Sequence, residues 1–520
     1  MRLFRTIAGV RTQLKSAWQT HKNLALVPTM GALHPGHLSL IAQAVTANDV
    51  VVVSIFVNPL QFEPGSDLEH YPRQLEQDCQ FCEEAGVDIV FAPTVEELYP
   101  RVSAAIGTET QEIMTRVVPP PAMIAPLCGE SRPGHFEGVA TVVTKLFNII
   151  QPTTAYFGQK DAQQLAIIRR LVADLNFPVE IRTCPIVREE SGLAYSSRNQ
   201  YLTPEEKEKA QGIYQGLQRA KQAFQQQNVR TAEQLLQLLC QNAPWSASDL
   251  DYTALVDPDT LQPLAKVEKK ALLALAVYVG QTRLIDNILL RDRAPIIAID
   301  GPAGAGKSTV TRGVASELGL LHLDTGAMYR GLTWLVLNSQ ISLDDEAGIA
   351  ELVSQADLQL VLSRDPETPV KVSVNGKEVT KAIRSSLVTR NVSAISAQKA
   401  VRDKLLEQQR QWGEKGGLVA EGRDIGTHVF PDAELKIFLT ASVRERARRR
   451  QKELMTQGQE NIDFEQLQQE IQQRDTSDRD RAIAPLRKAP DALELITDDF
   501  TIEEVIAKII RLYRDRFPIS

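Results

Sequence analysis

The chain has no apolar run long enough to cross a bilayer. Its longest, Val50–Val53 and Ala271–Val279, fall far short of the ~20 residues a membrane helix needs. The start, MRLFRTIAGVRTQLKSAW, carries no long apolar core of a secretory signal. Together these absences predict a cytoplasmic protein without a membrane partner. Cysteine is scarce: Cys79, Cys82, Cys128, Cys184 and Cys240 are an odd, scattered set, which excludes a disulfide framework. Cys79-x-x-Cys82 has redox or half-metal spacing, but no second Cys or His pair completes a site. Two residues on a helix over Gln74–Ala85 is the stronger expectation. A charge excess of one sign is also missing. A net charge of −7 gives no overall field for nucleic acid.

What is present is ordinary globular composition, 43% apolar and 24% charged. At ~100–200 residues per domain, 520 residues suggest roughly three or four domains. Strand-like and helix-like runs alternate, as in α/β folds. Asn23–Pro28 reads as a strand, Thr29–Gly36 as a loop, and a helix is expected from His37. Val50–Val57 is a buried strand by its β-branched run. Asp88–Ala92, Ala155–Phe157 and Val179–Ile181 extend a doubly wound sheet to about Val187. Beyond Arg188 the texture changes. Thr203 caps a helix with Pro204 at its first position. The glutamine-rich stretch Gln211–Gln241 keeps apolar residues at helical spacing. Strands at Leu250–Val256, Leu272–Val279 and Thr282–Leu290 complete a small α+β domain.

Leu290–Pro295 reads as a polar join. A second α/β run opens with Ile296–Asp300. It continues with a strand pair at Leu358–Leu362 and Val370–Val374, and Asn375-Gly376 signals a hairpin turn. Further strands are expected at Leu418–Ala420 and Leu435–Leu439, then a long helical stretch over Ser442–Arg481 and a helix near Ile502–Tyr513.

Gly301-Pro-Ala-Gly304-Ala-Gly306-Lys307-Ser308 fits GxxxxGK[ST] between a strand and a helix. Glycines let backbone N–H groups curl around phosphate oxygens, and the helix N-terminus adds positive potential. Lys307 is expected at the β- and γ-phosphates and Ser308 at Mg²⁺. Leu323-Asp-Thr-Gly-Ala-Met-Tyr-Arg330, Gly422-Arg-Asp-Ile-Gly-Thr427 and Arg474-Asp-Thr-Ser-Asp-Arg-Asp-Arg481 follow in order. From about Ala294 onward the chain resembles the bacterial cytidylate kinase family, which moves the γ-phosphoryl of ATP to CMP or dCMP. The resemblance implies that Gly301, Gly304, Gly306, Lys307, Ser308 and Thr309 meet ATP. It implies a CMP site of Asp324, Thr325, Tyr329, Arg330, Arg402, Arg423, Asp424, Arg474, Asp478 and Arg481, with Thr325 and Asp478 reading cytosine. Lys307, Arg423 and Asp424 are the catalytic expectations here. The basic run Arg444–Arg450 is open to three readings: nucleic-acid binding, a solvated helix face, or a lid that brings arginines to ATP.

In the front half, His34-Pro-Gly-His37 lies between a strand and a helix. HxGH in that place is a nucleotidyl-transfer signature, with two imidazoles at a helix N-terminus facing a triphosphate. Structural histidines or a metal pair are the alternatives, and no third metal ligand has suitable spacing. Phe56–Phe62, Tyr71-Pro-Arg73, Arg132-Pro-Gly-His-Phe136, Tyr156–Asp161 with Gln163-Gln164, and Ser196-Ser-Arg-Asn199 follow. This set closely resembles the pantothenate synthetase family, the pantoate–β-alanine ligases, up to about Leu290. The resemblance implies ATP contacts from Met30, Gly31, His34, His37, Gly158, Gln159, Lys160, Asp161, Val187, Tyr195, Ser196, Ser197 and Arg198. It implies pantoate and β-alanine contacts from Gln61 and Gln164, and catalysis by His34, His37, Lys160 and Arg198. Tyr195 stands where relatives commonly carry Met, and Gln159 where Glu is common.

The expected architecture is α/β throughout. A Rossmann-like domain (1–187) and a small α+β domain (188–290) precede a P-loop kinase domain (294–520), with a CMP-binding insert near 357–400 and a lid near 442–484. Expected partners are small molecules only: ATP with Mg²⁺, pantoate, β-alanine, and CMP or dCMP. The resemblance also implies a homodimer through the front half. Other substrates on the same folds, or a degenerate nucleotide-binding scaffold, are the competing readings. His37, Lys160, Lys307 and Arg423 are all in place, which argues against the scaffold.

Overall fold

The computed structural model describes residues 1–62, 68, 71–100, 114–362, 370–456, 463–480, 485–489 and 491–517. They form two compact units, Met1–Asp292 and Arg293–Ser520.

The first unit is built on a parallel six-stranded sheet. Its strands are β1 (Arg2–Phe4), β2 (Leu24–Thr29), β3 (Val50–Ile55), β4 (Ile89–Phe91), β5 (Thr154–Gly158) and β6 (Glu180–Cys184), in spatial order β1-β4-β3-β2-β5-β6. Parallel strands buried on both faces need apolar side chains in every register. β2 and β3 supply them, pairing Leu24 with Val50 through Thr29 with Ile55. Alternation sends Leu24, Leu26 and Val52 into one core and Ala25, Val27, Val51 and Val53 into the other.

An antiparallel sheet follows: β7 (Leu250–Val256), β8 (Lys270–Val279) and β9 (Thr282–Arg291). The unbroken apolar run of β8 also serves two cores. Leu273, Leu275 and Val277 pack with helices Pro204–Gln226 and Ala232–Cys240, while Leu272 and Ala274 face the core under the large sheet. Thr203 forms a capping box with Glu206.

The second unit has a parallel five-stranded sheet of β10 (Ala294–Asp300), β11 (Leu321–Asp324), β15 (Gly416–Gly422), β16 (Leu435–Thr440) and β17 (Leu493–Ile496). The spatial order is β11-β15-β10-β16-β17. The intervening strands β12 (Leu358–Leu362), β13 (Val370–Val374) and β14 (Lys377–Glu378) make a separate antiparallel sheet. Asn375 and Gly376, with φ of 50° and 77°, turn β13 into β14 rather than into β12.

Four expectations shift. The helix expected at His37 begins at Pro35, because His34 itself caps it. The join shrinks to Asp292 and Arg293, because β9 ends at Arg291 and β10 starts at Ala294. Asp292 pairs with Arg230 at 3.0 Å in the first unit. Arg293 is held by Asp432 at 3.0 Å, Glu434 at 3.2 Å and the Gly413 carbonyl at 2.8 Å in the second. The helical stretch after Ser442 is two helices, Val443–Thr456 and Phe464–Asp480. Short strands β1 and β17 had no sequence signal; both are edge strands with mostly exposed side chains. Arg481, residues 363–369 of the expected insert, and 457–462 and 481–484 of the expected lid lie outside the described residues.

Candidate active sites

In the first sheet, strand order reverses at β2, with β3 and β4 on one side and β5 and β6 on the other. Crevices open beyond the C-terminal strand ends at such points. His34-Pro-Gly-His37 follows β2 there and Gln159-Lys160-Asp161 follows β5. The loop after β2, carrying Met30 and Gly31, is pinned by a carboxylate from another element. Asp78 is buried and accepts from Ala32 N–H at 3.0 Å and Leu33 N–H at 2.8 Å. Burial pushes the Asp78 carboxyl up. It sits on the helix Leu75–Glu84 beside Cys79 and Cys82. Both thiols are free and pushed up by burial, so the CxxC spacing is helical packing. No cluster of three metal-ligating side chains occurs among the described residues.

His34 Nδ1 accepts from the Gly36 N–H at 3.1 Å, capping the helix Pro35–Ala47. A neutral ring so bound carries its proton on Nε2. A Cβ on Gly36 would meet the His34 ring at 2.8 Å, so the fold-back requires glycine. The His37 ring lies 4.0 Å from that of His34. Burial, then Lys160, pushes His34 down to about 4. Burial, then His34 and Lys160, pushes His37 down to about 3. Both are therefore neutral donors or acceptors at ordinary pH. His37 Nδ1 is buried with no hydrogen-bond partner.

Lys160, Asp161, Gln164 and Arg198 line one cavity of about 560 Å³, mouth included. Cys128, Arg132, His135, Tyr252, Arg283 and Asn287 line it as well. Gln163, next to Gln164, lines the same cavity and also holds its wall together. It is buried, accepts from Cys128 N–H, and donates to Met123 and Pro126 carbonyls. Gln61 is buried, and its Oε1 accepts from Asn58 at 2.9 Å. Its carbonyl takes a 2.9 Å contact from His135 Nδ1. Burial, then Arg132, pushes His135 down to about 3, so the neutral ring donates from Nδ1 and turns Nε2 to Arg132 at 3.4 Å. Burial, then Arg198, lowers Arg132 to about 10. The second cationic loop is tied locally: Tyr195 N–H donates to the Val187 carbonyl at 3.1 Å, and Ser196 Oγ accepts from Arg198 N–H at 3.3 Å. Tyr71 hydrogen-bonds Ser197. Arg132, Arg283 and Asn287 escaped sequence reasoning; only Arg132 sat in a quoted motif.

In the second unit, Gly301 follows β10, and a Cβ there would lie 1.9 Å from the Leu439 carbonyl of β16. Gly306 caps the helix Lys307–Leu318 with φ of 84°. Lys307 is buried and donates to the Gly301 and Pro302 carbonyls, each at 2.7 Å. Burial, then Arg423, pushes its ammonium well down. Ser308 donates to Glu421 at 2.6 Å, whose other oxygen contacts His322 at 2.9 Å. Thr325 donates to the Glu421 carbonyl at 2.7 Å. The expected CMP-site charges pair with one another: Arg330 with Asp324 at 3.4 Å, Arg402 with Asp424 at 2.7 Å, and Arg423 with Asp478 at 2.7 Å. Arg402 also lies over the Tyr329 ring at 5.6 Å. Desolvation, then Arg423, pushes Arg474 down.

Asp300 ends β10 and accepts from Ile425 and Gly426 N–H groups, each at 2.7 Å. It fixes the loop carrying Arg423 and Asp424, and burial raises its carboxyl to about 6. Asp300 and Glu421 carried a sequence signal, a carboxylate closing a buried strand. In the basic run, Arg446 is buried and bidentate to Asp475, at 2.9 and 2.5 Å, and donates to the Ala303 carbonyl of the phosphate loop at 3.0 Å. Arg449 binds Thr497, and Arg448 is exposed beside Glu445. A uniformly solvated face is thereby overturned.

The sequence matches the pantoate-beta-alanine ligase family over residues 2–289 and the cytidylate kinase family over residues 297–515. It is 54% identical to the bifunctional pantoate ligase/cytidylate kinase of Trichormus variabilis, over 99% of each chain. It is 56% identical to the protein of the same description from Synechocystis sp., also over 99% of each. Among solved structures it resembles the pantothenate synthetase of Thermus thermophilus, at 44% identity and a TM-score of 0.50, over 55% of this chain and 99% of that one. No described helix is long and apolar enough to cross a membrane. The chain belongs to the bifunctional pantoate ligase/cytidylate kinase family, joining pantoate to β-alanine with ATP in one unit and phosphorylating CMP from ATP in the other.

Proposed function

We propose that the ligase unit works in two steps on one set of loops. The pantoate carboxylate attacks the α-phosphorus of ATP, giving pantoyl adenylate and pyrophosphate. The β-alanine amine then attacks the acyl carbon and AMP leaves. His34 and His37 face the phosphates as hydrogen-bond donors, neutral in the free site, and His37 becomes the proton donor once phosphate charge beside it favours its imidazolium form. Lys160, Arg198, Ser196 and Ser197 hold charge on the departing pyrophosphate. Met30, Gly31, Gly158, Gln159, Asp161, Val187 and Tyr195 contact ATP, with Asp161 at the ribose, and Gln61 and Gln164 orient pantoate. The observation that carries this reading is the pair of half-buried, uncharged imidazoles beside Lys160 at a helix N-terminus.

In the kinase unit, Gly301, Gly304, Gly306, Lys307, Ser308 and Thr309 cradle ATP. Arg330, Arg402, Arg423, Arg474 and Arg481 hold the CMP phosphate and the charge in transit, with Asp324, Tyr329 and Asp424 shaping the site. Thr325 and Asp478 read cytosine. Two of the three Lys307 N–H groups already meet loop carbonyls, so phosphate takes the third or displaces them. Ser308 and Glu421 offer the hard oxygen donors that suit Mg²⁺, which usually keeps waters and nucleotide oxygens as its other ligands. When bound, Mg²⁺ neutralises phosphate charge. The site is expected to take dCMP as well as CMP.

The cytoplasmic location, the absence of nucleic-acid partners and pairing of two copies through the ligase unit complete the reading. They rest on the composition and the family resemblance. One incubation with ATP and Mg²⁺ tests the chemistry. Pantoate with β-alanine should yield AMP and pyrophosphate, and CMP or dCMP should yield ADP. Failure of either product overturns the assignment for that unit.

A further inference from the structure

β9 carries two adjacent buried polar residues, Asp286 and Asn287. Neither is explained by packing, because a strand interior favours apolar side chains unless each polar group finds a partner. Both do, and the partners belong to different loops. The Asn287 amide donates to the Gln159 carbonyl at 3.1 Å and to the Lys160 carbonyl at 2.9 Å. Its oxygen accepts from the Gln159 side chain at 3.3 Å. The side chain is thus fully engaged on the turn that presents Lys160. The Asp286 carboxylate accepts both arms of Arg188, at 2.6 and 3.0 Å, and the Asn287 N–H at 2.8 Å. Arg188 in turn donates to the Gly192 carbonyl at 3.1 Å and lies over the Tyr214 ring at 4.1 Å. Arg188 immediately follows Val187 and bridges to Ala194, so it sets the segment that ends in Ser196-Ser197-Arg198.

We infer that Asp286 and Asn287 are positioning residues for the adenylate-forming step, a single strand segment that fixes the Lys160 turn and the Ser196–Arg198 turn in register with each other. The two turns follow the neighbouring strands β5 and β6, whose ladder ends at Gly158 and Cys184, before either turn begins. Beyond the end of that ladder, their separation without β9 would depend on the two loops. Reactions that need several donors on one departing group are sensitive to that separation, since a displacement near 1 Å can lower a rate by about a hundred-fold. Neither residue needs to touch the pyrophosphate. The inference rests on the proposed placing of Lys160 and Arg198 at the phosphates.

The experiment uses the full chain carrying Asn287→Ala, Asp286→Asn or Lys160→Ala, each assayed three ways. Pyrophosphate release from ATP and pantoate reads adenylate formation. Pantothenate formation from supplied pantoyl adenylate and β-alanine reads the second step, which involves no pyrophosphate. CMP phosphorylation reads the other unit in the same tube. Asn287→Ala and Asp286→Asn should lower kcat for pyrophosphate release by about ten- to a hundred-fold. The KM for pantoate should stay within about three-fold, and the second step and the kinase close to wild type. Equal loss of both ligase steps would show general damage to the unit and overturn the positioning role. An unchanged kcat in both variants, with Lys160→Ala still impaired, overturns it too. If Lys160→Ala itself releases pyrophosphate normally, the underlying reading of the site is what fails.

Discussion

Around the phosphate loops of the two units, charge is arranged in opposite ways. The ligase site meets its loop with neutral histidines, one of which has a buried nitrogen without a partner. The kinase site meets its loop with full charges that already answer one another, in the pairs Arg330–Asp324, Arg402–Asp424 and Arg423–Asp478 and in Lys307 on the loop carbonyls. The difference fits what each must do. A neutral imidazole can donate a hydrogen bond to a departing group, whereas the γ-phosphoryl in transit needs charge held in place. A self-paired cluster also stays satisfied when no nucleotide is bound, because a buried lone charge is strongly unfavourable.

The largest break in this comparison should come from Lys307→Ala. Loss of the one ammonium inside the phosphate loop is expected to lower CMP kinase kcat on the order of a thousand-fold, with AMP formation by the ligase unchanged in the same sample. His37→Ala should do the reverse, lowering pyrophosphate release by about a hundred-fold or more while ADP formation from CMP persists. If either substitution abolishes both activities in a protein that is still folded, the two sites are not independent.

A smaller effect is structural. Asp78→Ala leaves the buried Ala32 and Leu33 N–H groups without their acceptor, which costs about 1–3 kcal/mol for each. The ligase unit should melt earlier by calorimetry, and the kinase transition should not move. A ligase transition that stays in place would show that the loop after β2 is held by other contacts.

Acid sharpens the contrast further, because the signs differ. His34, His37 and His135 have folded pKa values pushed to about 4, 3 and 3, so between about pH 4 and 6.5 the unfolded chain binds more protons. Ligase stability should fall as pH drops through that window, by up to about 1.4 kcal/mol per pH unit for each histidine. Asp300 is raised to about 6, so its folded form binds more protons between about pH 4 and 6. Its contribution to kinase stability is present at the acid end and lost as pH rises. Asp300→Asn should therefore gain on wild type as pH rises from 4 to 7. A pH-independent difference between the two would exclude a raised Asp300.

Much of this was legible in the sequence because buried parallel strands announce themselves. The β-branched run of β3 and Ile296–Asp300 gave their sheets directly, and the glycine, lysine and histidine motifs fell at strand ends as phosphate chemistry requires. What stayed hidden depends on contacts between distant segments. Nothing in the local pattern of the helix Leu75–Glu84 shows that Asp78 points at the loop after β2 rather than at water. Gln163 and Gln164 are equivalent in sequence and both line the cavity, yet only packing shows that Gln163 also ties three backbone groups. Asp286 and Asn287 look like a polar flaw in a strand until their partners, more than a hundred positions upstream in the case of Lys160, are in place.

The two-residue join has a consequence for the order of synthesis. Every strand of the ligase sheets is complete by Arg291, so a ribosome finishes that unit before any kinase strand exists. β10 then emerges first although it is the middle strand of its sheet, and its neighbours β15 and β16 are made far later. During that interval the apolar segment Ile296–Ile299 has no native strand beside it, the state in which nascent chains aggregate. β11 waits in the same way for β15, and both emerge after the first unit can already have folded.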